Sequence, residues 1–96
     1  MSRRQGLYWL CTIPEANFAP DGPWQQSVAY LRGQLEVGHQ SGFRHWQLLV
    51  VLSRKGSIRA MQKIFGSAGH YELSRSEAAA DYVWKEDTMV AGTRFE

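Results

Sequence analysis

Hydrophobic and polar positions divide the chain into short blocks of two different periods. Leu7 to Ile13 (LYWLCTI) is apolar, aromatic and β-branched and stops at Pro14, the composition of a buried strand. Glu15 to Trp24 holds Pro20, Gly22 and Pro23, and such breakers predict a loop. From Gln26 to Val37, Val28, Tyr30 and the Leu31–Leu35 stretch alternate, and Gly38 follows as a turn signal. A strand centred on Tyr30 to Val37 is predicted, with room for a short helical turn before it. Gly38 to Gly42 (GHQSG) is rich in turn formers, and Phe43 to Leu52 (FRHWQLLVVL) is the strongest strand of the chain. Two strands joined by such a loop should pair antiparallel.

Ser53 to Gly56 reads as a polar turn, and Ser57 can cap a helix. Ile58, Met61, Ile64 and Phe65 then recur at helical spacing, Arg59 and Lys63 fall outside that stripe, and Gly66 ends it. His70 to Leu73 (HYEL) predicts a short strand. Ser74 or Ser76 can cap a second helix, with Glu77 in its first turn, running through Ala78, Ala79 and Ala80 to about Asp87. Val90 to Glu96, with Gly92 before Thr93-Arg94-Phe95, predicts a last strand. The order β, β, β, α, β, α, β gives an α+β domain: a central antiparallel sheet of about five strands with helices packed on one face.

Composition narrows the picture modestly. Ninety-six residues, 44% of them hydrophobic, with four each of Trp, Tyr and Phe, suffice for a single core. No apolar run approaches the ~20 residues that span a bilayer, and the start of the chain lacks the basic-then-apolar order of a secretory signal. Cys11 is the only cysteine, which excludes an internal disulfide and a Cys-rich zinc site and fits a reducing compartment. A formal net charge of +2 is a weak electrostatic footprint, with local clusters at Arg3-Arg4 and at Arg54-Lys55 near Arg59 and Lys63. The chain stops soon after Phe95, which reads as a domain cut from a longer protein.

Two groups of residues carry chemistry. In His45-Trp46-Gln47, strand alternation puts His45 and Gln47 on one face and Trp46 on the other. Glu36 lies nine residues earlier, across the hairpin. If the pair is in register, a carboxylate, an imidazole and an amide oxygen can share a divalent cation, and this hard set suits Mn²⁺ or Mg²⁺. Taken alone, the triplet reads more simply as the polar face of a half-buried sheet. In Tyr82-Val83-Trp84-Lys85-Glu86, Tyr82, Lys85 and Glu86 share one face of a helix. A phenol of pKa ~10 needs a nearby cation to act as a nucleophile. Taken alone, this stretch too reads as an ordinary helix surface.

Together the two groups resemble the replication initiators (Rep) of circular single-stranded DNA viruses, members of the HUH endonuclease superfamily named for a His-hydrophobic-His motif. The resemblance runs from Tyr8 to Glu96. Tyr8 to Pro14 (YWLCTIP) is similar to the first motif. His45-Trp46-Gln47 is similar to the second, in its His-hydrophobic-Gln form, and Ala80 to Asp87 (ADYVWKED) to the third, whose core is Tyr-x-x-Lys. Gly33-Gln34-Leu35-Glu36 stands before the hairpin in the expected place.

The resemblance implies a sequence-specific nickase of single-stranded origin DNA that starts rolling-circle replication. Tyr82 would be the nucleophile and Lys85 would steady charge. Glu36, His45 and Gln47 would hold Mn²⁺ or Mg²⁺, with Glu86 a further contact. The product would be a 5′-phosphotyrosine link and a free 3′-hydroxyl. Arg3, Arg4, Tyr8, Arg44, Arg54 and Lys55 are DNA-contact candidates, although a solvated surface explains each equally well. The resemblance also implies the host nucleus; no membrane partner is expected, and a monomeric isolated domain is expected within a full-length protein that can be oligomeric. Trp9, Trp46 and Trp84 are expected in the core, and His39 and His70 at the surface. The same RRM-like, ferredoxin-like two-layer arrangement would serve a non-catalytic RNA-recognition module, which stacks bases on strand aromatics. A plasmid initiator or a single-tyrosine transposase of the same superfamily is the other alternative.

Overall fold

A computed structural model describes residues 5–38, 42–74 and 89–96. Strands β1 (Gly6–Pro14), β2 (Val28–Val37), β3 (Arg44–Gly56) and β4 (His70–Ser74) form one antiparallel sheet in the order β2-β3-β1-β4. Helix α1 (Ile58–Phe65) joins β3 to β4.

Alternation builds the core. Trp9, Cys11 and Ile13 of β1 are buried, as are Trp46, Leu48, Val50 and Leu52 of β3. Register aligns them into rows: Leu31, Val50 and Trp9; Gly33, Leu48 and Cys11; Leu35, Trp46 and Ile13. Helix α1 adds Met61 and Phe65 to this face. Gly33 is required in its row. A side chain there would begin 2.6 Å from the Gln47 carbonyl oxygen and 2.5 Å from Leu48 Cδ2, closer than a real Cβ approaches.

The loop after β1 opens with a 3₁₀ turn at Glu15–Asn17 and is pinned by aromatics. Phe18 stacks on Trp24 at 5.2 Å and lies 5.5 Å from the ring of Trp46, 5.9 Å from Phe95 and 6.2 Å from Phe65.

Three expectations are corrected. First, β3 runs through Ser53 to Gly56, where the polar pattern predicted a turn. Ser53, Arg54 and Lys55 are exposed, but Ser53 N–H donates to Ser27 O at 2.8 Å and the register slips on both sides of this stretch. Such a bulged ladder hides from periodicity. Second, Val90 to Glu96 is not a strand, so among the described residues the sheet has four strands rather than about five. This segment touches β2 by isolated bridges, Met89 to Glu36 and Phe95 to Gly33, with Gly92 at φ +77° between them. There the Thr93 hydroxyl replaces a ladder partner, accepting from Leu35 N–H at 3.0 Å and donating to Val90 O at 2.6 Å. Third, Ser57 stands at the N-cap of α1, but its hydroxyl makes no capping bond.

The second predicted helix falls on residues outside the described ones, as does Trp84. Among the described residues, no helix is long and apolar enough to cross a membrane.

Candidate active site

Opposite the core, the part of the sheet nearest the β2–β3 connection is polar and partly sealed, while Leu49 is buried further along the same face. Alternation along β2 places Gln34 and Glu36 there, along β3 His45 and Gln47, and along β1 Thr12. Glu36 lies directly opposite His45, and Gln47 lies between Gln34 on one side and Thr12 on the other. Gln34 is 0% exposed and Glu36 5%, the buried polar side chains among the described residues. Burying such groups is unfavourable unless they find partners.

Their partners define the site. Gln34 Nε2 donates to Glu36 Oε2 at 3.1 Å, and Thr12 Oγ1 donates to Gln47 Oε1 at 3.2 Å. Glu36 Oε1 lies 3.7 Å from His45 Nε2, beyond hydrogen-bond range. His45 is stacked by Phe43 at 5.3 Å, and its buried Nδ1 has no hydrogen-bond partner among the described residues.

This arrangement fits a small divalent cation. Two donors each about 2.0–2.2 Å from one ion stand roughly 3–4 Å apart, as Glu36 Oε1 and His45 Nε2 do. Gln47 Oε1 accepts one hydrogen bond and keeps a second lone pair. The donor set is a carboxylate oxygen, an imidazole nitrogen and an amide oxygen, which favours Mn²⁺ or Mg²⁺ over a thiolate-loving metal. No group of three or more His, Cys, Asp or Glu gathers among the described residues, and the third candidate donor, Gln47, is an amide.

Other predicted residues fall elsewhere. Tyr82, Lys85, Glu86, Arg3, Arg4 and His39 lie outside the described residues. Arg44 is engaged by Glu15 through bonds of 2.8 and 3.1 Å, which hold the Glu15 carboxyl below the usual carboxylate range. Tyr8 is half-buried between Val51 and Ser74. Arg54 and Lys55 border a cavity of about 570 Å³ with Lys63, Leu52 and Ile64, and among the described residues no acidic side chain lines it. His70 is exposed at the start of β4.

Neither of two other hydroxyl-bearing rings is an activated phenol. Burial pushes Tyr71 up to about 12 while its hydroxyl donates to Gly66 O at 2.6 Å. Tyr30 is raised first by burial and then by its bond to Glu96. Burial also pushes the Cys11 thiol up, which removes it as a nucleophile or ligand.

Gln34, Thr12 and Arg94 are members of the polar face that sequence reasoning did not assign. Gln34 was within reach, two residues before Glu36 and therefore on its face. Arg94, whose Nε donates to Gln34 Oε1 at 3.0 Å, was not, because sixty residues separate the pair.

Comparison with known proteins bears on the whole chain. The profile of the family described as "Putative viral replication protein" matches residues 7–86, a span that includes Glu36, His45, Gln47 and Tyr82 to Glu86. The chain is 32% identical over 95 residues to the Para-Rep C1 protein of Milk vetch dwarf C1 alphasatellite, covering 96% of this chain and 32% of that protein. It is 33% identical over 91 residues to the master replication protein of Banana bunchy top virus, covering 93% of this chain and 30% of that protein. The chain thus spans about a third of the length of these curated relatives. No solved structure matches it. With most of its length inside one profile and two replication proteins at about a third identity, the chain belongs to the viral replication protein family.

Proposed function

We propose that this domain nicks and rejoins single-stranded DNA at a viral replication origin, with Tyr82 as nucleophile. The observation that carries this reading is the pairing of Glu36 with His45 across β2 and β3, beside Gln47, on a buried polar face. A sheet used only as a scaffold has no need to bury a carboxylate 3.7 Å from a half-buried imidazole without a hydrogen bond between them.

The Tyr82 phenolic oxygen attacks the scissile phosphorus, and the P–O3′ bond breaks. The phenolic proton ends on the leaving 3′ oxygen, giving a 3′-hydroxyl and a 5′-phosphotyrosine ester. One phosphate ester replaces another, so the reverse attack by a 3′-hydroxyl rejoins the strand. A divalent cation held by Glu36, His45 and Gln47 would polarise a phosphate oxygen. Lys85 offsets charge that builds on the phosphate, and Glu86 is assigned as an additional contact to the cation. The cavity bordered by Arg54, Lys55 and Lys63 is assigned to a DNA phosphate, with Arg3, Arg4 and Tyr8 as further strand contacts. The host nucleus is the proposed setting.

The test is a denaturing gel of the domain with a labelled single-stranded origin-loop oligonucleotide, with and without Mn²⁺. Wild type should carry label on the protein only with the cation, and fully paired DNA should not react. Tyr82→Phe keeps the ring and should bind DNA yet form no adduct. Label on that variant would assign the nucleophile to another residue. A non-catalytic binding module would bind DNA equally well without Mn²⁺ and yield no adduct in any lane.

A further inference from the structure

Gln34 is a polar side chain that the proposed chemistry leaves unused. It is completely inaccessible, in the middle of β2. An amide is asymmetric: its oxygen only accepts and its nitrogen only donates. Arg94 has donors and no acceptor, and its Nε lies 3.0 Å from Gln34 Oε1. That contact determines the sense of the amide. The NH₂ end is directed at Glu36, 3.1 Å from Oε2. One carboxylate oxygen is thereby occupied, while the other, Oε1, faces His45 Nε2.

The backbone explains how a residue so far along the chain reaches this place. Gly33 and Phe95 exchange N–H···O bonds of 3.0 and 2.8 Å in an antiparallel bridge. Their neighbours Gln34 and Arg94 therefore stand side by side on the polar face.

We propose that Arg94 and Gln34 form a positioning relay for Glu36, presenting its carboxylate to a hard divalent cation through Oε1 alone. The relay rests on the reading of Glu36, His45 and Gln47 as the cation's ligands. In this relay Gln34 and Arg94 act through the orientation of Glu36 rather than as ligands themselves. Partners of this kind commonly tune metal affinity about 10- to 100-fold.

The experiment measures Mn²⁺ affinity of the whole chain by calorimetry and by loss of the free-ion electron paramagnetic resonance signal, without DNA. Wild type, Gln34→Leu, Arg94→Met and the double variant are compared, with metal-free melts to check folding. Gln34→Leu should weaken Mn²⁺ binding about 10-fold or more. Arg94→Met, at an exposed position, should weaken it less, because the amide then loses only its fixed sense. The double variant should be no weaker than Gln34→Leu, since both changes break one chain of contacts. A purely structural role would lower the metal-free melt and leave Mn²⁺ affinity unchanged, and that result overturns the relay, as do strictly additive losses. If Gln34→Leu folds poorly, unchanged affinity in Arg94→Met overturns it by itself. Absence of Mn²⁺ binding in folded wild type would instead sink the metal reading, and the relay with it.

Discussion

The two faces of the same sheet bury side chains for opposite reasons. On the α1 side, Trp9, Cys11, Ile13, Leu48 and Val50 are at most 1% exposed and packed as one apolar cluster. On the other side, Gln34 and Glu36 are almost as inaccessible, yet they are held by directed hydrogen bonds. Apolar burial stabilises by about 25 cal/mol per Å² and is indifferent to direction. Polar burial returns little net stability and is unfavourable when any partner is missing. The first face therefore accounts for why the chain folds, and the second for what the fold presents.

The largest expected effect is on the apolar face. Trp9→Ala should lose about 3–5 kcal/mol, which in a domain of this size lowers the melting temperature by tens of degrees. Thermal melts with and without Mn²⁺ should fall together. Survival of a near-native melt would mean that the core is not where stability resides.

His45→Ala should invert that pattern. The metal-free melt should drop far less than for Trp9→Ala, while the rise in melting temperature on adding Mn²⁺ disappears. For wild type that rise corresponds to about 2.7 kcal/mol at a cation concentration one hundred times the dissociation constant. A His45→Ala melt as low as that of Trp9→Ala would erase the distinction between the faces.

A smaller effect is expected at Thr12, whose hydroxyl donates to Gln47 Oε1. Thr12→Val keeps the shape and should change stability by no more than about 0.5–1.5 kcal/mol. Its Mn²⁺ affinity should weaken by less than that of Gln34→Leu. Affinity equal to that of His45→Ala would make Thr12 itself a ligand.

Arg44→Ala should have the smallest effect, because its pair with Glu15 lies open to solvent on the rim of the site. Glu15 is held below its ordinary carboxylate value, first by its hydrogen bond with Arg44. A carboxyl lowered on folding contributes stability above its unfolded value and loses it as pH falls through the lowered folded value. The difference between wild type and Arg44→Ala should therefore be present at neutral pH, vanish in acid, and shrink with salt. A difference that grows in acid would reverse this assignment.

Much of the second face was legible before the fold. His45 and Gln47 share it because strands alternate, and Glu36 precedes a turn-rich loop that favours pairing with His45. Gln34 was legible by the same rule but did not stand out, because an amide two residues from a carboxylate looks like any polar strand position. Tyr82 and Lys85, read from their helical spacing, lie outside the described residues. The bulged end of β3 misled the pattern because Ser53, Arg54 and Lys55 are polar and exposed, although the strand continues through them to pair again at Gly56 opposite Gly6.

What the sequence determined by itself is local and periodic: the cores of β1 to β4, where α1 begins and ends, which side chains of β1 and β3 face the core, and that His45 and Gln47 face away from it. Period and composition act within one element, so they need no knowledge of partners. Tertiary structure decided the rest. It chose the order β2-β3-β1-β4, set Glu36 opposite His45 and sealed Gln34. It also brought Arg94 to Gln34 by way of a two-bond bridge in a segment that forms no strand. These outcomes depend on which backbone groups pair across long stretches of chain, and that choice is made by the assembled sheet as a whole.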